Sequence, residues 1–373
     1  AWRAFAVVAA AAIGCTALGH SLLRRMEPAP GPATVDVAAV EPGFHPIADV
    51  PAATREQWQA RSRELFTARL LVPTRELVGG HPPDLVLWPE SAVYEEVATA
   101  AIAAGTARLL VGALPKSSAR LVVGANVVGD ERAPGTPAAL LLELPTGRVL
   151  AHQEKRHLVP GGERQPFLGW LPAGIATWLR ATFAAALGTL PEATPGRELP
   201  PLVDRNGVSF GALLCYDNAF PGPASAQVAM GARWLCVLSN EAWYEGGGEL
   251  TQLMAMTVVR ALEVGTPILR CTQDGWTGLV DGRGHLVEAL PLRPAGSPGA
   301  GSARILRVTV PLGSGRLPPM AWLRAATGPA AALGLGLLLL HGLWRWARLR
   351  AARTASQGQA GSGSDRAPHG SGS

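Results

Sequence analysis

Three polar side chains, each placed just after a short apolar run, could together perform nucleophilic chemistry. Cys215 follows VSFGALL, Glu90 ends DLVLWPE, and Lys155 ends GRVLAHQEK. A free cysteine is only a few per cent thiolate at neutral pH, so a carboxylate that accepts its proton and a cation that favours its anion make it reactive. We predict Cys215 as the nucleophile, Glu90 as the base, and Lys155 with the backbone N–H after Cys215 as the stabiliser of an oxygen anion. For Cys215 alone, a buried structural cysteine is the ordinary alternative.

The elements that must bring these side chains together are the strands of a predicted α/β domain. Short apolar runs alternate with amphipathic stretches, which is the pattern of layered α/β proteins. In such domains the carboxyl ends of strands gather at one edge of the sheet, where active sites are built. Hairpins that turn at 145–147 and 281–284 predict mixed sheets. The predicted strands are 34–40, 84–88, 108–114, 121–128, 138–144, 148–153, 208–214, 234–238, 267–271, 278–281 and 305–310, and the predicted helices are 54–70 and 249–263.

Two long uncharged runs, 4–23 and 325–344, have the length that crosses a bilayer as a helix. For the first run, a cleaved signal peptide is the alternative to a retained anchor. The end of the chain is rich in Gly, Ser and Ala, which is typical of disorder. We therefore predict four regions: a transmembrane anchor in 1–25, a catalytic domain in 26–318, a transmembrane helix in 319–346 and a disordered cytoplasmic tail in 347–373.

The charge distribution favours one orientation and excludes one class of partner. Behind the second run stand Arg345, Arg348, Arg350 and Arg353, a cluster that stays in the cytoplasm and so places the catalytic domain on the outer side. The net charge of +5 comes largely from these flanks. The sequence has no basic stripe interleaved with aromatic residues, so it does not predict nucleic-acid binding. The four cysteines have no CxxC or Cys/His spacing of a zinc site, so we predict neither a metal nor a cofactor.

The stretch 167–190 differs from the rest of the domain because it is apolar, rich in tryptophan and nearly uncharged. Trp170, Ile175 and Trp178 belong to one apolar face of this stretch. Such a face predicts either a core helix or a lid that dips into lipid.

The sequence resembles the apolipoprotein N-acyltransferase branch of the nitrilase, or carbon–nitrogen hydrolase, superfamily in five motifs that occur in the right order. They are WPES at 88–91, EKRHLVPGGE at 154–163, LLCYDNAFP at 213–221, SNEAWY at 239–244 and RALEVGTPILRCTQDG at 260–275. The resemblance implies a nitrilase-type four-layer αββα sandwich, here flanked by transmembrane helices. It also implies a Glu/Lys/Cys triad, which Glu90, Lys155 and Cys215 match.

Further positions follow from the same resemblance. Glu163 matches a second essential glutamate, and Tyr216 and Asp217 match the residues that support the nucleophile. We assign Trp88 and Trp243 as candidate substrate-binding residues, with structural support as the alternative for Trp88. The implied reaction moves an acyl chain from a phospholipid donor, through a Cys thioester, to the N-terminal diacylglyceryl-Cys amine of a lipoprotein at the bacterial inner membrane.

Three departures from the branch bear on this expectation. Asp217 stands where a glutamate is usual, and Gly161 where a phenylalanine is usual. Family members also carry several membrane helices before the catalytic domain, whereas this sequence has one candidate, so we expect either a fragment of a longer protein or a reduced relative. A membrane-tethered amidase or nitrilase that uses water as the acceptor is the alternative enzyme, and an inactive envelope scaffold is the alternative outside enzymes.

Overall fold

The computed structural model describes residues 10, 13–14, 17, 21, 34–44, 55–93, 97–98, 107–108, 111–128, 135–144, 146–165, 168–187, 192–244, 247–293, 302–318 and 331–348. The chain divides into two compact units, Ala1–Pro318 and Pro319–Ser373. Within the described part of the first unit, two β-sheets and their flanking helices make up the fold.

The first sheet carries two of the three predicted catalytic positions. Its strands are β1 (Thr34–Glu41), β2 (Leu85–Leu87), β3 (Val97–Ala98), β4 (Arg120–Val128), β5 (Thr136–Glu143), β6 (Val149–Glu154) and β13 (Arg304–Pro311). Their order is β13-β1-β2-β4-β5-β6, with β3 beside β4. Strands β1, β2 and β4 are parallel, β5 is antiparallel to both β4 and β6, and so β6 runs in the direction of β2. The carboxyl ends of β2 and β6 therefore lie at the same edge.

The second sheet carries the third predicted position. Its strands are β7 (Leu202–Val203), β8 (Ser209–Leu214), β9 (Trp234–Ser239), β10 (Ile268–Thr272), β11 (Gly278–Val280) and β12 (Leu286–Ala289), in the order β12-β11-β10-β9-β8-β7. The central strands β8, β9 and β10 are parallel, and the outer pairings are antiparallel. Parallel central strands again place several carboxyl ends at one edge.

Helices flank both sheets. They are α1 (Arg55–Phe66), α2 (Val72–Gly79), α3 (Ala173–Leu187), α4 (Pro221–Ala229) and α5 (Gly248–Val264). A π-helical turn, Thr67–Leu71, joins α1 to α2. Pro221 begins α4, where a missing backbone N–H costs nothing, and α5 ends at Gly265 in the left-handed conformation with φ 61°.

Three apolar clusters hold these elements in four layers. In β2, Leu85 and Leu87 point into a cluster shared by both sheets, whereas Val86 points into a cluster with helical Leu70 and Val78. This alternation follows from the two-residue period of a strand. A third cluster packs α4 and α5 on the outer face of the second sheet. Each fully buried aliphatic side chain contributes about 1.5–3 kcal/mol. The order helix, sheet, sheet, helix is the predicted αββα sandwich.

Most predicted strands lie within one or two residues of the observed ones, but the strand at 108–114 is wrong. In the described part of this stretch Arg108 and Val111 are helical, and the N–H of Gly112 donates to the carbonyl of Arg108 at 2.7 Å. Val111 is fully buried among the outer core residues. A short apolar run that buries one side fits a helix as well as a strand, so its period cannot decide.

Of the two alternatives predicted for 167–190, the core helix is wrong, because three large apolar side chains in the described part of the stretch are exposed. Leu168–Trp170 forms a 3₁₀ turn and α3 follows. Trp170 is 81% exposed, Trp178 64% and Ile175 48%. The alternative of a lid that dips into lipid stays a prediction.

The predicted membrane segments lie mainly outside the residues that the structure describes. Apart from a few single positions, the anchor 1–25 lies outside the described residues, as does the tail beyond residue 348. Of the predicted helix 319–346, the described part begins at residue 331, and residues 331–348 form a helix, which we label α6. Among the described residues, no helix combines the length and the apolar character that a membrane span requires.

Candidate active site

Glu90 is fixed at the end of β2 by contacts on both of its carboxylate oxygens. Oε1 accepts a hydrogen bond from Lys155 Nζ at 2.8 Å, and Oε2 accepts one from the backbone N–H of Asn240 at 3.2 Å. Gly124 on β4 makes room for this turn, since a Cβ there would stand 2.5 Å from the Cα of Glu90. The carboxylate is 6% exposed and is held in place before any substrate arrives.

Lys155 is the buried cation of the site. It directly follows β6, its backbone N–H donates to the carbonyl of Pro137 at 2.8 Å, and its side chain is completely buried. Nζ also donates to Oε1 of Glu163 at 2.6 Å, so one ammonium group bridges two carboxylates. Burial alone lowers the pKa of Lys155, but the charges of Glu90, of the Cys215 sulfur when it is ionised and of Glu163 outweigh burial, and the net pKa is raised. Lys155 therefore stays charged at neutral pH.

Glu163 connects this cation to the loop that follows β6. Its Oε2 accepts the backbone N–H of Val159 at 2.8 Å, and its own N–H donates to the carbonyl of Val159 at 2.9 Å. The loop thus closes on itself around Glu163. In this arrangement the partly exposed Glu163 ties the ammonium group of Lys155 to the loop.

Cys215 begins a 3₁₀ turn, Cys215–Ala219, directly after β8. Among the described non-glycine residues, Cys215 (φ 44°) and Ser91 (φ 55°) have positive φ, and Ser91 is the neighbour of Glu90. Strain of this kind concentrates at functional sites, because only the surrounding fold keeps it in place. Cys215 is half-buried, whereas the other two described cysteines are buried.

The thiol of Cys215 needs a base to react at neutral pH. Burial, followed by the negative charge of Glu90, raises the pKa of Cys215 to about 12, although the charge of Lys155 acts in the opposite direction. The thiol is therefore protonated at rest. A thiolate has to form by proton transfer to a nearby acceptor, and Glu90 is close enough for its charge to raise the pKa of this thiol.

Asp217 joins the nucleophile turn to the loop after Lys155. Its carboxylate accepts the backbone N–H of His157 at 2.8 Å and that of Arg156 at 3.2 Å, and it lies 2.9 Å from Nδ1 of His157. The imidazole ring stacks on Phe220 at 4.0 Å, and the ring of Tyr216 meets Phe220 edge-on at 5.2 Å. Asp217 is one methylene shorter than the glutamate that is usual at this position, and its carboxylate still lies within hydrogen-bond distance of Arg156 and His157.

The two tryptophans occupy different environments. Trp88 is completely buried, its indole N–H donates to Thr74 Oγ1 at 2.9 Å, and its ring packs edge-on against Phe66. This placement favours structural support over contact with a substrate. Trp243 is 51% exposed in the 3₁₀ turn Ala242–Tyr244, shortly after Asn240, the residue that contacts Glu90.

Sequence reasoning missed two polar pairs that hold the site together. One is Asp217 with His157, which are 60 residues apart in sequence. The other is the buried ion pair of Arg270 with Glu241, next to the turn that carries Trp243. The sequence showed a carboxylate in a polar turn at Asp217, but no local pattern indicated its partner. Arg270 lies inside an apolar run, where no pattern indicated a buried ion pair.

Comparison with known proteins agrees with this geometry at the level of the family. The family model described as Carbon-nitrogen hydrolase matches residues 53–295. Among curated proteins, an Apolipoprotein N-acyltransferase from Geobacter metallireducens is 32% identical over 63% of this chain and 43% of its own length. One of the same name from Chlorobaculum tepidum is 28% identical over 66% of this chain and 47% of its own length. The chain thus spans less than half the length of these relatives.

Solved structures agree on the fold. The crystal structure of an amidase from Nesterenkonia sp. has a TM-score of 0.50 at 19% identity and covers 76% of this chain and 92% of its own. A cysteine-to-alanine mutant of the Nesterenkonia AN1 amidase, from the nitrilase superfamily, also has a TM-score of 0.50 at 19% identity and covers 81% of this chain and 98% of its own. At this identity the likeness concerns the fold alone. On the match over 53–295, this chain belongs to the carbon–nitrogen hydrolase family, and its resemblance to the apolipoprotein N-acyltransferases in that family is confirmed.

Proposed function

We propose that this chain carries the catalytic domain of a membrane-bound N-acyltransferase that moves a phospholipid acyl chain, through a thioester on Cys215, to the N-terminal amine of bacterial lipoproteins. The observation that carries the proposal is the ammonium group of Lys155, bridging Glu90 and Glu163 beside a half-buried cysteine. The names of the curated relatives support the choice of acyl donor and acceptor.

In the first half-reaction Glu90 takes the proton of the Cys215 thiol, and the sulfur attacks the carbonyl carbon of the lipid ester. The carbonyl oxygen becomes an anion, which Lys155 and the backbone N–H after Cys215 stabilise. The C–O ester bond then breaks, and the leaving alkoxide takes the proton from Glu90. The products are a lysophospholipid and an acyl thioester on Cys215.

In the second half-reaction the amine of the lipoprotein attacks the thioester carbonyl. Glu90 accepts a proton from the attacking nitrogen, an amide C–N bond forms and the C–S bond breaks. The proton returns to the sulfur, and Cys215 is again a thiol. Each group ends in its starting state, so a single base serves both steps.

The exposed aromatic side chains of α3 and of the turn before it favour a lipid substrate over a small amide. Trp170 and Trp178 present indole rings on the described part of 168–187, and such rings sit well at a lipid–water boundary. We further propose that the segments 1–25 and 319–346 anchor the chain in the inner membrane, with the catalytic domain on the periplasmic side. An amidase that uses water as the acceptor is the second candidate, and the amidase-like fold is what favours it.

The test is to incubate the protein with a phospholipid that carries a labelled acyl chain, and to look for label that hydroxylamine removes. Cys215→Ala should lose the label, whereas Cys236→Ala should keep it, because Cys236 is buried within β9. Equal labelling of Cys215→Ala and the parent would overturn the thioester mechanism. Adding a diacylglyceryl-Cys peptide separates the candidates: a transferase forms N-acyl peptide, whereas a hydrolase releases free fatty acid.

A further inference from the structure

A charged groove lies beside the catalytic loop. It has a volume of about 310 Å³ and is lined by Arg156, Leu158, Pro160, Arg164 and Pro195. Four of these residues lie in the loop 156–164, which follows Lys155. Pro195 lies in the segment that runs along this loop. None of Glu90, Lys155 and Cys215 lines this groove.

The walls of the groove are tied to the catalytic residues by backbone hydrogen bonds. The N–H of Gly196 donates to the carbonyl of Lys155, and that of Ala193 donates to the carbonyl of Glu163, both at 2.7 Å. Across the loop, the N–H of Gly161 donates to the carbonyl of Arg164 at 2.8 Å. These backbone hydrogen bonds hold the segment with Pro195 against the loop that carries Lys155 and Glu163.

The groove carries excess positive charge. Arg156 pairs with Glu198 at 3.1 Å, but within the described part of the chain no carboxylate lies at ion-pair distance from the exposed guanidinium of Arg164. A planar guanidinium offers paired donors that match the oxygens of a phosphate group. An unpaired arginine that lines a groove beside uncharged apolar walls is suited to an anionic group on an otherwise apolar molecule.

The groove also starts close to the nucleophile. The backbone N–H of Arg156 donates to Asp217, two residues after Cys215. We infer that this groove binds the phosphate of the donor phospholipid head group, with Arg164 as its main contact and Arg156 as the second. The inference rests on the proposed function, and it adds that the enzyme recognises the donor by its phosphate. Leu158 and Pro160 lie where the uncharged part of the lipid next to the phosphate would pass.

The test measures binding in the full-length Cys215→Ala protein, so that no acyl transfer interferes. Two water-soluble probes differ only in the head group: dihexanoyl phosphatidylglycerol and dihexanoyl glycerol. In calorimetry, Arg164→Gln should weaken binding of the phospholipid about tenfold, the loss expected for one charge-assisted hydrogen bond in an exposed groove, and should leave binding of dihexanoyl glycerol unchanged. Arg148→Gln is the matched control, because Arg148 is 65% exposed at the start of β6, whereas the groove begins after its end.

Two results would overturn the inference: equal weakening for both probes, or no weakening for the phospholipid. Inorganic phosphate serves as a third probe, and if it binds as tightly as the phospholipid, the groove is a site for free phosphate and the lipid assignment is wrong. The thioester assay with the parent protein is independent of these measurements. Phosphate-dependent binding without thioester formation would support the groove and reject the proposed transferase, whereas thioester formation without phosphate-dependent binding would do the reverse.

Discussion

Two buried cations, Lys155 just after β6 and Arg270 within β10, differ in the carboxylates that face them. Lys155 faces two carboxylates, Glu90 and Glu163, and their charges raise its pKa despite burial. Arg270 faces one carboxylate, Glu241, and burial lowers its pKa to about 10. The lysine centre has one negative charge too many and a thiol beside it, whereas the arginine centre is balanced. A surplus carboxylate next to a nucleophile can accept a proton, which makes the first centre suitable for catalysis.

The arginine centre uses its donors for structure instead. Arg270 donates to the carbonyl of Trp276 at 3.1 Å and to Thr257 Oγ1 at 2.5 Å, and Thr257 also accepts Asn218 Nδ2 at 2.9 Å. Glu241 accepts the backbone N–H of Trp276 at 3.0 Å. Asn218 belongs to the turn of Cys215, and Glu241 follows the residue that contacts Glu90. The ion pair of Arg270 with Glu241 therefore helps to hold the turn of Cys215 and the residue that contacts Glu90 in place.

Replacing Lys155 should have the largest effect. In Lys155→Met the oxygen anion loses its cationic partner, and we expect thioester formation to slow at least about a thousandfold. The rate of Cys215 acylation by a labelled phospholipid measures this. A thermal melt of the same variant serves as the control, since a chain that is unfolded at the assay temperature says nothing about the anion. A folded variant with near-parental acylation would show that Lys155 is not the stabilising group.

Replacing Arg270 should affect stability rather than chemistry. Arg270→Met leaves the buried carboxylate of Glu241 without its cation, which costs about 3–5 kcal/mol of unfolding free energy. Urea denaturation measures the loss. The double variant Arg270→Met with Glu241→Gln removes the unpaired charge and should recover part of it. If Arg270→Met were as stable as the parent, the contrast between the two cations would fail.

Removing Asp217 should produce an intermediate effect on acylation. Asp217→Ala frees the loop of His157 from the nucleophile turn, and a misplacement of about 1 Å costs on the order of a hundredfold in rate. The matched control is Asp281→Ala in the hairpin between β11 and β12, where the carboxylate likewise accepts the N–H of His285 at 2.8 Å and lies 3.1 Å from its Nδ1. Equal losses in the two variants would mean that the effect is general and not specific to the site.

The sequence allowed three candidate catalytic positions to be named because each follows a strand that a local pattern reveals. Strands β2, β6 and β8 are short apolar runs with a polar residue behind them. Their common direction brings the ends of β2 and β6 to one edge of the first sheet, whereas the end of β8 comes near them only through the packing of the two sheets. The side-chain geometry was beyond such patterns. The contact of Asp217 with His157 crosses 60 residues and two sheets, so it depends on how the sheets pack and on no local period.

Other errors have the same cause. Arg270 lies in β10 within an apolar run, and only the placement of Glu241 from another strand end explains a buried charge there. The apolar face of 167–190 is compatible with burial and with exposure, because period indicates which side chains share a face but not what covers that face. Tertiary packing decides both cases.

Replacing Glu90 should change two measurements in opposite directions. The charge of Glu90 is one reason, after burial, why the pKa of Cys215 is raised to about 12, so Glu90→Gln should lower that pKa and shift the pH curve of alkylation by iodoacetamide to lower pH. At pH 9–10 the thiolate fraction, and with it the alkylation rate, should rise about tenfold. Thioester formation at neutral pH should fall in the same variant, because the thiol has lost its base. Cys215→Ala gives the background from the other cysteines. A shift of the alkylation curve to higher pH, or no shift, would mean that the carboxylate of Glu90 does not act on this sulfur. The surplus negative charge around Lys155 would then have no role in activating Cys215.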